Sequence, residues 1–112
     1  MTDKNCIFCR ILAGEIPATK IYEDDKMLVF KDIEPKAEVH LLAIPKDHFK
    51  LLSEADETRA EILKHMLLKI PQIAKDNGCG NGYRLVINQG DDAGQTVFHL
   101  HIHILGGEIL PW

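Results

Sequence analysis

His99-Leu100-His101-Ile102-His103-Ile104-Leu105, close to the C-terminus, alternates polar and apolar residues without a break. A strand sends successive side chains to opposite faces, so the pattern predicts a strand with His99, His101 and His103 on one face and Leu100, Ile102 and Ile104 on the other. Residues two apart on a strand lie about 6.5–7 Å from each other, close enough for three imidazoles to converge on one small anionic or metallic object. Three histidines in register seldom arise by chance on an exposed strand. Spacing alone leaves two readings open. Neutral imidazole is the commonest metal ligand, and it also titrates near neutral pH and can attack an electrophile itself.

Working outward, the segment feeding this strand is Gln89-Gly90-Asp91-Asp92-Ala93-Gly94-Gln95-Thr96, rich in turn formers and hydrogen-bonding side chains. Loops of that composition are where ligand contacts are commonly placed. Residues 82–88 read as a strand ending in Asn88. Residues 20–23 and 26–33 read as two strands around the acidic turn Asp24-Asp25, and residues 38–45 as a third, ended by Pro45. His40 is a single histidine in that apolar strand, and by itself it reads as a core or surface histidine with a hydrogen bond. His48 lies in the loop that leads to the main helix.

Ser53 is predicted to cap that helix, with Asp56 in the reciprocal position and Glu54 and Glu57 adding charge to the first turn. Ile62, Met66, Ile70 and Ile73, with Leu63, Leu67 and Ala74, form its apolar stripe, which is core or a partner face. Pro71 predicts a kink or a fresh start, and Asn77-Gly78 the end. Cys79 reads as an inert thiol. Short connections make the sheet mainly antiparallel with about five strands, one long helix and one short one: an α+β domain over residues 1–112. An open lateral edge would invite a second copy.

The short helix is Cys6-Ile7-Phe8-Cys9-Arg10-Ile11-Leu12-Ala13-Gly14, closed by Gly14, with Phe8, Ile11 and Leu12 on its buried side. Its C-x-x-C admits three readings: a redox pair, half of a zinc site, or two small buried apolar residues. No strand precedes it to supply the usual redox context, and zinc would need two more ligands from the histidines. At 112 residues with 46% hydrophobic content the chain can bury a core without disulfides, and three cysteines suit a reducing compartment. A net charge of −4 without a basic run argues against nucleic-acid binding. The polar start, Met1-Thr2-Asp3-Lys4-Asn5, predicts neither a signal peptide nor a membrane span, hence a cytoplasmic protein.

The histidine stretch resembles the H-φ-H-φ-H-φ-φ motif of the histidine-triad superfamily. Ile16-Pro17-Ala18, Tyr22-Glu23-Asp24-Asp25, Phe30-Lys31-Asp32-Ile33, His40 through Pro45, Gly82-Tyr83-Arg84, Asn88, Gly94-Gln95 and Leu105-Gly106-Gly107 extend the likeness to its Hint branch over essentially the whole chain. The resemblance implies the HIT-like fold and a homodimer that binds purine nucleotides. It also implies a hydrolase of nucleoside phosphoramidates and acyl-nucleotides. By resemblance His101 is the nucleophile, with its second ring nitrogen donating to the His99 carbonyl, and a nucleotidyl-histidine forms and is cleaved by water. His103 and His40 would then hydrogen-bond phosphate oxygens or shuttle protons, which reverses the plain reading of His40. Asn88, Gln95 and Thr96 would donate to phosphate oxygens, Asp32 would bind the ribose hydroxyls, and Phe30 and Ile33 would contact the base.

Thr96 stands where Hint proteins commonly have serine, and its β-branch narrows the rotamer choice. The tail stops early, at Trp112. The C-x-x-C resembles that of bacterial relatives with a structural zinc, whose ligands here would be Cys6, Cys9, His48 and His99. Catalysis would need no metal. Three alternatives stand beside this reading: a nucleotide-binding adaptor with little turnover, a metal held by all three histidines, and a dinucleoside polyphosphate hydrolase.

Overall fold

The structure, a computed structural model, describes residues 3–112; Met1 and Thr2, the first residues of the polar start, lie outside it. Two helices and five strands follow in the order α1 (Ile7–Leu12), β1 (Lys20–Glu23), β2 (Met27–Lys31), β3 (Val39–Pro45), α2 (Glu57–Asp76), β4 (Tyr83–Val86) and β5 (Ile102–Gly106). The strands form one sheet in the order β1-β2-β3-β5-β4, every pair antiparallel. This is the α+β architecture expected, with one long and one short helix.

Alternation along the strands divides the core in two. Met27, Val29, Leu41, Ala43, Ile102 and Ile104 face Met66, Ile70, Ile73 and Ala74 of α2. Their neighbours Leu28, Phe30, Leu42 and Ile44 face Phe8, Cys9 and Ile11 of α1. The face expected to be left for chemistry is thus partly roofed by the short helix. Cys6 caps α1 through its Sγ, which accepts the Cys9 N–H at 3.4 Å. Gly14 turns the chain away with φ +78°, its N–H on the Ile11 carbonyl.

Four local expectations are corrected. The ladder of β5 begins at Ile102, so His99 and His101 precede it; the Leu100 N–H is taken by the Phe49 carbonyl at 2.7 Å instead of a strand partner. Asp56, not Ser53, is the N-cap of α2, its carboxylate accepting the Arg59 N–H at 2.9 Å. Ser53 sits in a separate 3₁₀ turn, Leu52–Glu54, where the Glu54 carboxylate takes the Lys50 and Leu51 N–H groups. The helix also runs unbroken through Pro71, because Pro71 and Leu67 lie on its exposed side, where water can satisfy the carbonyl that proline cannot. Strands β2 and β4 are shorter than expected, ending at Lys31 and at Val86. Among the described residues no helix is long and apolar enough to cross a membrane.

Candidate active site and metal cluster

The alternating histidines part company according to what each meets. His101 and His103 line a cleft of about 570 Å³ with Phe8, Phe30, Asp32, Ile33, Asn88 and Thr96. His99, fully buried, points instead toward α1 and the loop after β3.

His101 is 7% exposed and its Nδ1 lies 2.7 Å from the His99 carbonyl oxygen. A carbonyl only accepts, so Nδ1 carries the proton and Nε2 keeps its lone pair. Burial pushes the His101 ring below the ordinary histidine range, against the opposing pull of that hydrogen bond and of Asp32. The ring is therefore neutral at neutral pH. Phe8 meets it edge to face at 5.1 Å between centroids, and the His103 ring lies 5.1 Å away on another side. His103 is pushed down to about 4 by burial and by its neighbours His101 and His40.

His40 does not line the cleft. It stands behind His103, 4% exposed, with its Nε2 2.8 Å from His103 Nδ1 and 3.4 Å from an Asp32 carboxylate oxygen. The plain reading of a hydrogen-bonded core histidine and the functional one are both compatible with that place.

The loop between β4 and β5 brings Asn88 and Thr96 to the cleft, with no hydrogen bond from either side chain to another described residue. Gln95 does not join them. Its side chain is buried, accepting the Gly90 N–H at 2.8 Å and donating to the Lys50 and Val97 carbonyls at 3.1 and 3.2 Å. The donor expected for phosphate oxygens is spent on bracing the loop. Phe30 is buried in the cleft wall, whereas Ile33, 93% exposed, sits at its mouth.

Cys6, Cys9, His48 and His99 converge, with one ligand atom of each within 4.8 Å of all the others. Cys6 Sγ lies 3.3 Å from His99 Nδ1, Cys9 Sγ 3.3 Å from His48 Nδ1, and the two Nδ1 atoms are 3.2 Å apart. Bond lengths of about 2.0–2.3 Å to zinc give tetrahedron edges of roughly 3.3–3.8 Å, so the four donors fit that ion. His99 Nε2 donates to the Pro45 carbonyl at 2.8 Å, which leaves the Nδ1 lone pair facing the cluster. His48 Nε2 is buried with no hydrogen-bond partner, and the Asp3 carboxylate approaches it at 3.9 Å.

Two participants escaped the sequence reading. Phe8 was expected only as core, though its place between Cys6 and Cys9 was the available signal that it would travel with the cluster to the histidine strand. Asp3 carried no signal, since nothing local ties it to His48.

The family described as "Scavenger mRNA decapping enzyme C-term binding" matches residues 5–109. Protein HitA of Neisseria gonorrhoeae is 54% identical over 102 residues, covering 91% of this chain and 95% of its own. A HIT family hydrolase from Clostridium thermocellum superposes with a TM-score of 0.94 at 46% identity, over 98% of this chain and 96% of that one. A Zn-bound histidine triad family protein from Mycobacterium smegmatis superposes with a TM-score of 0.80 at 34% identity, over 93% and 76% of the two chains. With its sequence and its fold matched across nearly the whole length, the chain belongs to the histidine-triad superfamily.

Proposed function

We propose that this protein is a nucleotide-binding hydrolase of nucleoside 5′-phosphoramidates or acyl-nucleotides, AMP derivatives among them. The observation that carries the reading is the His101–His99 hydrogen bond at 2.7 Å, which holds His101 in the tautomer with an unprotonated Nε2 at the cleft. Nε2 attacks the α-phosphorus, a P–N bond to the histidine forms, and the bond to the leaving amine or carboxylate breaks. Water then attacks the nucleotidyl-histidine, releasing the nucleoside monophosphate and restoring the ring. A leaving amine takes up a proton drawn from solvent, which His103, beside His101 in the cleft, is the nearest ring able to relay.

Asn88 and Thr96 offer donors to the phosphoryl oxygens, Asp32 an acceptor pair for ribose hydroxyls, and Phe30 and Ile33 apolar contact for a purine. His40 supports His103 from behind, and Gln95 acts through the loop it braces. Cys6, Cys9, His48 and His99 hold a structural zinc, which when bound cross-links α1 to the segments that follow β3 and precede β5, at one end of the sheet. The exposed Leu67 and Leu68 of α2, with Tyr83 and Leu85 on edge strand β4, support a homodimer. Unpaired thiols at Cys6, Cys9 and Cys79 suit a reducing cytoplasm.

Intact mass spectrometry after rapid quenching of the protein with adenosine 5′-phosphoramidate tests the reading. An adenylyl adduct is expected on the native protein and none on His101→Ala. Neither adduct nor AMP release would overturn it.

A further inference from the structure

His101 and His103 project from the same face of one chain segment, yet nucleophilic attack and proton donation need opposite ring states. For His101 the answer is the His99 carbonyl. For His103 it lies two residues deeper in hydrogen-bond connectivity.

The backbone N–H of Lys36 points at His40 Nδ1 across 3.0 Å. A backbone N–H can only donate, so His40 Nδ1 is an acceptor and the neutral His40 ring carries its proton on Nε2. The surroundings of Nε2 ask for the same thing: His103 Nδ1 at 2.8 Å and an Asp32 carboxylate oxygen at 3.4 Å are both acceptors for that proton. We propose that the Lys36 backbone amide is a positioning group of the active site, setting His40 and through it His103 so that His103 presents Nε2–H to the cleft. The order of donation is Lys36 N–H to His40 Nδ1, His40 Nε2–H to His103 Nδ1, and His103 Nε2–H to whatever the cleft holds. Lys36 is held there by the turn that precedes it, in which Asp32 Oδ1 accepts the Glu34 N–H at 2.8 Å and the Asp32 N–H bonds the His40 carbonyl at 3.0 Å.

The same relay decides the nature of the Asp32, His40 and His103 group, whose donor atoms are close enough together to suggest a second cation site. A cation there needs a lone pair on His40 Nε2. That would move the proton to Nδ1, directly against the Lys36 N–H. The group is therefore a hydrogen-bond relay. Two adjacent imidazoles thus face one phosphoryl group with complementary roles: His101 Nε2 bare, His103 Nε2 protonated. One is set by a carbonyl and the other by an amide.

The positioning claim stands without the enzymatic reading, but its catalytic consequence rests on the proposed nucleotidyl transfer. The test is the ring nitrogen spectrum of protein labelled with ¹⁵N-histidine, recorded near neutral pH. Protonation at Nε2 is expected for His40 and His103 and at Nδ1 for His101. Lys36→Pro deletes the amide: the His40 and His103 patterns should then shift toward mixed tautomers, and kcat should fall about 10- to 100-fold with KM changed little. Lys36→Ala, which keeps the amide, should leave the ring pattern as it is. A native spectrum with Nδ1–H on His40 or His103 overturns the proposal. So does a folded Lys36→Pro protein whose ring pattern is unaltered. If Lys36→Pro does not fold, the native spectrum decides alone. The expected tautomers in a protein that forms no adenylyl adduct would keep the relay and remove the hydrolase reading.

Discussion

The carbonyl oxygen of His99 accepts the Nδ1–H of His101 at 2.7 Å, while the ring of the same His99 faces Cys6 and Cys9 at 3.3 and 3.6 Å. One residue thus serves the cysteine–histidine cluster with its side chain and the candidate nucleophile with its backbone. Phe8, carried on α1 between the two cysteines, touches both rings, at 5.9 Å from His99 and 5.1 Å from His101. The state of the cluster should therefore reach the cleft.

Replacing Cys6 by serine removes one thiolate from the cluster. Zinc content should fall well below one per chain. With free zinc a thousandfold above its dissociation constant, the ion contributes about 4 kcal/mol. At roughly 4 °C per kcal/mol, its loss should lower the melting temperature by about 16 °C. The α2 half of the core does not touch the cluster, so the sheet should remain folded. AMP affinity should fall about tenfold, because Ile7, Phe8 and Ile11 of α1 form one wall of the cleft. Unchanged melting in metal-loaded Cys6→Ser, measured by calorimetry, would refute the structural zinc.

Asp3 is placed to orient His48. A ligating histidine commonly donates its other ring N–H to a carboxylate, and removing such a partner costs 10- to 100-fold in metal affinity as an order of magnitude. Asp3→Asn keeps the acceptor for the Asn5 N–H at 2.8 Å but loses the charge facing His48 Nε2. Competition with a chromophoric chelator should show zinc held at least about tenfold more weakly. Equal affinity would mean that Asp3 only shapes the N-terminal turn.

Gln95 tests how the loop that lines the cleft is supported. Gln95→Ala leaves the Gly90 N–H and the Lys50 and Val97 carbonyls without their side-chain partner. A destabilisation of about 2–3 kcal/mol is expected from the groups left unsatisfied, read from urea unfolding. The loss in kcat/KM should be accompanied by a rise in KM, since Asn88 and Thr96 ride on that loop. A variant of native stability would place the bracing elsewhere.

The hairpin turn predicts a pH dependence remote from the cleft. Burial pushes the Asp24 carboxyl up, but hydrogen bonds from His65 at 2.6 Å, the Lys26 N–H, the Tyr22 hydroxyl and the Met27 N–H together hold it below the usual carboxylate range. A depressed folded-state value means that the unfolded chain binds the proton first. The stabilisation is therefore complete above the unfolded value, near pH 4, and is lost as pH falls toward the folded one. Asp24→Asn should cost about 1–3 kcal/mol at pH 7. Its deficit against the native protein should shrink by about 1 kcal/mol by pH 3, because one pH unit corresponds to about 1.4 kcal/mol. A deficit independent of pH would exclude an ionised Asp24 as the cause.

Side-chain period and local chemistry settled much of this protein from its sequence. Strict alternation placed Leu100, Ile102 and Ile104 on one side, and all three are fully buried. The stripe Met66, Ile70, Ile73 and Ala74 seated α2, and the C-x-x-C lies on the short helix expected there. Those properties depend on neighbours within a turn or two, which sequence spacing reports directly. Partnerships across the chain were decided only by the tertiary structure. His99 meets Cys6 across 93 positions and His48 across 51, while His40 meets His103 across 63. Each depends on β3 lying beside β5 in one register, which pairs Leu42 with His103 and Ala43 with Ile102. A shift of one residue would put His40 and His103 on opposite faces of the sheet. Period dictates which face a side chain takes; only the pairing of distant strands dictates what it finds there.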